Sequence, residues 1–229
     1  MRIIGHHGAR GYEPENTLRS FKRAIDQGAD MVEFDVRRAK DGLVVIHDDT
    51  LDRTTNETGP VSGACLLEYL LRIRAGDDRV PEFAAAVEYV IERNTPVNVE
   101  MKSSGIAPQI AKCLRWMVTR GFPAAERSVV SSFDLDELRA FQRLLPWYLT
   151  AALIEERPPW SHPAVRHARS INPSLAITDG RLVWEAHARD KDVNAYTVNE
   201  DSDFARMRDL GVDGIFTDYP DRALRFFGR

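Results

Sequence analysis

Cysteine is scarce in this chain, which has only two among 229 residues, Cys65 and Cys113. Two cysteines are too few for a disulfide framework, so the fold must depend on a hydrophobic core. A chain of this length can bury one. Both cysteines lie in helix-like stretches that contain Leu and Ala, and we interpret them as small buried hydrophobic residues.

An excess of charge of one sign is also lacking, because 31 Lys and Arg face 35 Asp and Glu, a formal net charge of −4. This balance gives no indication of a nucleic acid or an anionic membrane as partner. Long apolar runs are absent too, and the first 17 residues contain no signal-peptide core. We therefore expect a cytoplasmic protein without a stable membrane anchor.

Short β-branched runs alternate with amphipathic segments along the chain. The predicted strands are Arg2–Gly5, Met31–Arg37 with Leu43–His47 appended as a hairpin, Pro96–Met101, Ser128–Ser132, Trp147–Ile154, Ser170–Ile171, Val193–Val198 and Gly214–Thr217. The predicted helices are Thr17–Gln27, Pro81–Arg93, Ala107–Arg120, Leu135–Leu144, His162–Ala168, Gly180–Arg189, Asp201–Leu210 and Asp221–Phe227. This alternation predicts an α/β fold with a parallel sheet. The eight strand–helix units favour a closed TIM-type (β/α)8 barrel over an open sheet.

One connection is too long for an ordinary loop of such a barrel. Residues 48–80 follow the second strand, and we predict that they form a short insertion with one helix, Cys65–Arg74, beside the barrel mouth. No linker or repeat interrupts the pattern elsewhere. We therefore expect residues 1–229 to form one barrel domain.

Acidic side chains recur on the strands at inward-facing positions. Glu33 and Asp35 share one face of their strand, because side chains alternate, while the apolar residues of Val32–Val36 share the other. By the same alternation Glu100 and Lys102 share a face of the next strand. Salt bridges to Lys102 would explain one buried carboxylate, whereas three that converge suit a hard divalent cation, Mg²⁺ or Ca²⁺.

Two histidines fall at the carboxyl ends of strands, where barrels carry their catalytic groups. His6 ends the first strand and His47 ends the run Leu43–Ile46. Beside an inferred cation site, the two histidines are candidates for an acid–base pair. Three glycines, Gly5, Gly8 and Gly11, are interpreted as making room for the backbone near this site.

These residues together resemble the glycerophosphodiester phosphodiesterase family. The resemblance covers essentially the whole chain, in order. The matching segments are Gly5-His6-His7-Gly8, Pro14-Glu15-Asn16-Thr17, Glu33-Phe34-Asp35-Val36, Asp41-Gly42 with His47-Asp48, Leu51-Asp52-Arg53-Thr54-Thr55, Glu100-Met101-Lys102, Tyr196-Thr197-Val198-Asn199 and residues 211–220.

The resemblance implies a TIM-type barrel that cleaves a small-molecule glycerophosphodiester to glycerol 3-phosphate and an alcohol. It implies that His6 and His47 are the catalytic histidines. We assign His6 as the base and His47 as the acid. The nucleophile, water or the 2-hydroxyl of glycerol, is left open. The resemblance also implies one divalent cation, and its ligands would be Glu33, Asp35 and Glu100.

The residues implied to bind substrate include two departures from the family pattern. Lys102 is the implied phosphate contact. His7 stands where the family usually has an arginine that holds a phosphate oxygen, and neutral histidine offers a single donor. Tyr196 stands where tryptophan is usual and is expected to pack against the glycerol backbone.

Two alternative functions remain open at this point. A lysophospholipase D-like phosphodiesterase would need an apolar groove, for which the candidates Leu66, Leu67, Tyr69 and Leu70 are also suited to burying a helix face. A catalytically weak homologue that only binds metal and phosphodiester is suggested by His7 alone. Intact His6, His47 and three acidic ligands argue against it.

Overall fold

Strands and helices alternate in the computed structural model, which describes all 229 residues. The strands are β1 (Arg2–Gly5), β2 (Met31–Arg38), β3 (Leu43–Val45), β4 (Arg74–Ala75), β5 (Asp78–Arg79), β6 (Val97–Met101), β7 (Val129–Ser132), β8 (Leu149–Ile154), β9 (Ser170–Pro173), β10 (Asp192–Ala195) and β11 (Gly214–Thr217). The helices are α1 (Leu18–Asp26), α2 (Leu66–Leu71), α3 (Phe83–Ile91), α4 (Ala107–Thr119), α5 (Pro123–Glu126), α6 (Leu135–Leu144), α7 (Pro163–His167), α8 (Gly180–His187), α9 (Asp201–Leu210) and α10 (Pro220–Phe226). None of them has the length and apolar character that a membrane crossing requires.

Eight parallel strands close into a barrel in the order β1, β2, β6, β7, β8, β9, β10 and β11. Closure is made by β1, which pairs in parallel with β11 on one side and with β2 on the other. The short β3 runs antiparallel to β2 outside this ring, as the appended hairpin predicted. The TIM-type barrel expected from the alternating pattern is thus confirmed.

The outer face of β2 carries the apolar side chains that the alternation predicts. Val32, Phe34 and Val36 are fully buried and belong to the main core between strands and helices. The ring of Phe34 packs against Phe21 of α1, with 5.3 Å between the ring centroids. Because this face points outward, Glu33 and Asp35 must point into the barrel.

The insertion at residues 48–80 packs against the β2–β3 hairpin in a second, small hydrophobic cluster, which includes Val44, Leu51 and Tyr69. Its helix α2 ends at Leu71, three residues before the predicted end, because the next segment forms a two-stranded hairpin of β4 and β5. Both cysteines are free, as expected, but they are only half-buried, whereas burial was predicted. Cys65 precedes α2, where its backbone N–H donates to Glu68 Oε2 at 2.8 Å.

The turn after β1 depends on a glycine at position 8. Gly8 has a φ of +86°, and an added Cβ would lie 2.3 Å from Ser20 Oγ and within 2.7 Å of the Ser20 backbone oxygen. Ser20 Oγ in turn donates to the His7 carbonyl at 2.8 Å, so this contact holds the site loop on α1. The backbone of Ser20 is part of a helix and cannot move aside freely.

Gly8→Ala is therefore expected to lower the free energy of unfolding by about 2–4 kcal/mol, from an unfavourable φ and overpacking together. Gly121→Ala is the matched control, because Gly121 also has a positive φ, +78°, but its Cβ would meet nothing within 4 Å. The control should lose only the cost of the positive φ, about 1–2 kcal/mol. Urea denaturation measures both losses, and equal losses would contradict the steric explanation.

Candidate active site

A cavity of about 380 Å³ opens among the carboxyl ends of the barrel strands. Seven of the eight site residues predicted from sequence line it, and Asp35 lies fully buried beside it. Residues that were not predicted complete the lining, among them Asn98, Phe133, Leu153 and Glu155. The strand positions thus bring together groups that are far apart in sequence: His6, His7, Glu33, His47, Glu100, Lys102 and Tyr196.

The three predicted carboxylates converge at the base of this cavity. Asp35 of β2 and Glu100 of β6 are register partners in adjacent strands. One carboxylate oxygen each from Glu33, Asp35 and Glu100 lies within 4.8 Å of the other two. Glu33 Oε1 and Asp35 Oδ1 are buried and accept no hydrogen bond. Buried, unpartnered carboxylate oxygens are costly without a cation, so this donor set fits a hard divalent ion.

The surroundings raise the pKa of two of these carboxyls and lower the pKa of the third. Burial, reinforced by Asp35 and Glu100, raises the pKa of Glu33 to about 8. Burial and the charge of Asp35 raise the pKa of Glu100 to about 7. Burial would also raise the pKa of Asp35, but the charge of His7 and its hydrogen bond hold it well below its ordinary value. The cluster therefore favours binding a cation over carrying three free charges.

Lys102 provides part of the positive charge beside this cluster. Its Nζ lies 2.7 Å from Glu100 Oε1 and 3.6 Å from Asp35 Oδ1. Burial alone would lower the pKa of Lys102, but Glu100 and Asp35 raise it, so the amine remains cationic. The inward salt bridge considered from sequence therefore exists, but Lys102 lies beyond hydrogen-bond distance of Asp35 and does not contact Glu33.

His6 is oriented by an aspartate from the last barrel strand's end. Its Nδ1 lies 2.7 Å from Asp218 Oδ1, and Asp218 Oδ2 accepts from Asn199 Nδ2 at 2.8 Å. Burial, together with the charges of His7 and Arg10, lowers the pKa of His6 to about 4. His6 is therefore a neutral imidazole whose Nε2 is left to act on a ligand in the cavity.

His47 is oriented in the same way by an aspartate, which is the next residue in the sequence. Its Nδ1 lies 2.6 Å from Asp48 Oδ1, and Asp48 Oδ2 accepts from Arg53 Nε at 2.6 Å. The backbone is fixed as well, since the His47 carbonyl accepts from Arg37 Nε at 2.6 Å. The His47 side chain lines the cavity and is 38% exposed, so a ligand in the cavity and solvent can both reach it.

His7 lies between these two histidines and faces the carboxylates. Its side chain is only 3% exposed, and its Nε2 is 3.0 Å from Asp35 Oδ2. Its backbone N–H donates to Glu33 Oε2 at 2.8 Å, and its Nδ1 is 3.4 Å from Arg10 Nη1. Burial would lower the pKa of His7, but Asp35 and Glu33 raise it to about 9. In this arrangement both ring nitrogens face protein groups.

Sequence reasoning missed the aspartates that orient the two histidines. Asp48 was named only as part of a matching motif, yet it directly follows His47 and contacts it. Asp218 follows β11, the barrel neighbour of β1, so the predicted closure was a signal that could have placed it beside His6. Phe133 was also missed, and its ring meets that of Tyr196 edge-to-face with centroids 6.0 Å apart. Tyr196 is held by a bond from its hydroxyl to the Ile154 carbonyl at 3.2 Å.

Comparison with known proteins agrees with the geometry. The Glycerophosphoryl diester phosphodiesterase family profile matches residues 6–222. A glycerophosphodiester phosphodiesterase of Caldanaerobacter subterraneus is 35% identical over 96% of this chain and 94% of its own length, and one of Bacillus altitudinis is 33% identical over 98% and 97%. A phosphodiesterase of Oleispira antarctica, solved in complex with sn-glycerol-3-phosphate, has a TM-score of 0.90 at 25% identity, covering 100% of this chain and 97% of its own.

Barrel, site and relatives together define a phosphoric diester hydrolase. Within that class, the chain belongs to the glycerophosphoryl diester phosphodiesterase family. The resemblance drawn from the ordered sequence motifs is thereby confirmed.

Proposed function

We propose that this protein is a metal-dependent glycerophosphodiester phosphodiesterase that releases glycerol 3-phosphate and an alcohol. The proposal is carried by one observation, the cavity in which two carboxylate-bound histidines flank three converging acidic residues. Residues 1–229 would form one domain, with residues 48–80 inserted at its mouth. Its cytoplasmic location stays a prediction from sequence.

Glu33, Asp35 and Glu100 would hold one divalent cation, Mg²⁺ or Ca²⁺. When bound, such an ion polarises the phosphate and neutralises negative charge that develops on it. The buried, unpartnered oxygens of Glu33 and Asp35 support this assignment. Lys102, which faces the same cavity, would contact a non-bridging phosphate oxygen.

His6 would act as the general base and His47 as the general acid. His6 is neutral, and Asp218 binds its Nδ1, which presents Nε2 to the hydroxyl that must lose a proton. His47, whose Nδ1 is bound by Asp48, would protonate the departing alkoxide through Nε2. Either water or the glycerol 2-hydroxyl can be the nucleophile in this arrangement.

Tyr196 and His7 would complete the substrate site. Tyr196 and Phe133 form an aromatic wall that suits the carbon backbone of glycerol. His7 was predicted to contact phosphate in place of arginine. That role stays a prediction, and it would require His7 Nε2 to leave Asp35 Oδ2.

Incubation with glycerophosphoethanolamine and Mg²⁺ or Ca²⁺, followed by assay of glycerol 3-phosphate, tests the proposal. We expect release that depends on the metal and stops when chelator is added. If the folded protein releases no glycerol 3-phosphate with either metal, the proposed activity is wrong. Thermal stabilisation by substrate without any product would instead favour the homologue that only binds.

The lysophospholipase D alternative has one observation in its favour. Leu66, Leu67, Tyr69 and Leu70 line an apolar groove of about 700 Å³ on the insertion. Tyr69 is buried there, while Leu67 and Leu70 are more than half exposed. The groove shares no lining residue with the site cavity, which favours the small diester. Faster turnover of a lysophospholipid than of glycerophosphocholine would reverse this preference.

A further inference from the structure

The two oxygens of Asp35 face different parts of the site. Oδ1 makes no hydrogen bond and lies 3.6 Å from Lys102 Nζ. Oδ2 lies 3.0 Å from His7 Nε2 and accepts from Asn16 Nδ2 at 2.9 Å. Asp35 therefore has a second side, which the cluster with Glu33 and Glu100 does not need.

Two histidines share this second side. One ligand atom each from His7, Asp35 and His47 lies within 4.8 Å of the other two. The two imidazole rings have centroids 5.3 Å apart and are tilted by 41°. We propose that His7, His47 and Asp35 form a second cation site, selective for a transition metal ion such as Zn²⁺ or Co²⁺.

The distances suit shared coordination of one ion. Zinc binds histidine nitrogen and carboxylate oxygen at about 2.0–2.2 Å, which places neighbouring ligand atoms about 3 Å apart or slightly more. His7 Nε2 and Asp35 Oδ2 are separated by 3.0 Å. In this hydrogen bond a proton lies between His7 Nε2 and Asp35 Oδ2, where the ion would bind. Binding of the ion would therefore release that proton to solvent.

The outer partner of His47 has the arrangement that a metal-binding histidine needs. A ligating histidine usually donates its other ring N–H to a carboxylate or carbonyl, which fixes the tautomer. Asp48 Oδ1 is 2.6 Å from His47 Nδ1, which leaves Nε2 to bind. Asn16 holds Asp35 in place. At His7 Nδ1 the nearest group is Arg10 Nη1 at 3.4 Å, and the Glu15 carboxylate lies farther away at 3.9 Å.

The donor types distinguish this site from the carboxylate cluster. Two imidazole nitrogens favour zinc, cobalt or copper, whereas Mg²⁺ and Ca²⁺ prefer an all-oxygen set. The site also depends on His7 itself, because an arginine at this position stays protonated and cannot ligate a metal. A chain with arginine here would have the oxygen site alone.

Occupation of the second site would inhibit the enzyme. His47 Nε2 would be bound to the ion and could not protonate the leaving alkoxide. This consequence rests on the proposed function, whereas the binding site itself does not. Inhibition by Zn²⁺ or Co²⁺ in the presence of saturating Mg²⁺ is the expected result.

The experiment is equilibrium dialysis of the whole, chelator-stripped chain with Co²⁺ in a large excess of Mg²⁺, with visible absorption recorded in parallel. We expect one Co²⁺ per chain to remain bound despite Mg²⁺. His7→Arg and His47→Asn should each weaken Co²⁺ binding at least about tenfold. His187→Asn is the matched control, since His187 also pairs with an aspartate, Asp213 at 2.9 Å, but lies outside the cavity.

Two results would overturn the proposal. Competitive displacement of all Co²⁺ by Mg²⁺ would mean that both ions use the carboxylate cluster. Unchanged Co²⁺ binding in His47→Asn would exclude that histidine as a ligand, and this partly exposed position remains informative if His7→Arg fails to fold. An enzyme that binds Co²⁺ as expected but has no turnover with Mg²⁺ would refute the proposed activity and support the site.

Discussion

Glu33→Gln is expected to remove turnover while making the chelator-treated protein more stable. Glutamine keeps the size of the side chain, and its oxygen can still accept from the His7 backbone N–H, which now lies 2.8 Å from Glu33 Oε2. It removes one of three charges offered to the divalent cation. Release of glycerol 3-phosphate should fall on the order of 1,000-fold, because electrostatic stabilisation of the reacting phosphate is lost.

The gain in stability follows from the titration of Glu33. Burial, with repulsion from Asp35 and Glu100, raises its pKa from 4.5 to about 8. A carboxyl whose pKa is raised by folding favours the folded chain while protonated, and that contribution is lost as pH rises from the ordinary pKa through the raised one. Without metal, the wild-type protein should therefore lose stability between about pH 4.5 and pH 8 at this residue.

Glutamine does not titrate, so the variant should not show this loss. The melting temperatures of chelator-treated wild type and Glu33→Gln should diverge as pH rises, by roughly 2–4 °C for each kcal/mol. Added Mg²⁺ should then stabilise the wild type far more than the variant. Calorimetry at pH 5 and pH 8, with and without metal, measures all three effects.

Glu88→Gln on α3 is the control, because Glu88 is exposed and lies outside the cavity. It should change neither activity nor melting temperature. A Glu33→Gln protein that keeps wild-type turnover in Mg²⁺, or that melts lower than wild type without metal at pH 8, would contradict the assignment of Glu33 as a cation ligand.

The barrel was predictable because its signals are local. Alternation within residues 31–38 separates outward Phe34 from inward Glu33, and the packing of Phe34 on Phe21 confirms it. The end of α2 was not predictable in the same way. Leu71 and the following residues have no helix-stopping glycine or proline before Gly76, and the helix ends because β4 pairs with β5.

Part of the site was predictable, because a barrel carries its catalytic groups at the carboxyl ends of its strands. His6 and His47 were placed by position, but their partners depend on contacts across the barrel. Asp218 reaches His6 across 212 residues, and only barrel closure brings them together. The orientation of His7 was equally hidden, since its positive φ of 50° points the ring at Asp35 and no periodicity reports such a backbone conformation.

His47→Asn is expected to slow the cleavage of natural diesters by about 100- to 10,000-fold, the usual contribution of a general acid. Asparagine can still hydrogen-bond Asp48, which now contacts His47 Nδ1 at 2.6 Å, so the loop should keep its conformation. It cannot deliver a proton to the leaving alkoxide. The defect should therefore depend on how much the leaving group needs that proton.

A pair of substrates separates the acid from the base. Ethanolamine must be protonated as it departs from glycerophosphoethanolamine, whereas a p-nitrophenyl ester of glycerol phosphate releases a stable anion. His47→Asn should be far less defective on the aryl ester. His6→Asn should slow both substrates to a similar extent, because deprotonation of the nucleophile precedes either departure.

Single-turnover rates for both substrates, with His187→Asn as the control histidine–aspartate pair, test the assignment. The control should leave both rates unchanged. If His6→Asn, and not His47→Asn, showed the dependence on leaving group, the two roles would be exchanged. Equal loss on both substrates in both variants would mean that neither histidine protonates the alkoxide. The next candidate acid would then be Lys102, whose Nζ lies 2.7 Å from Glu100 Oε1.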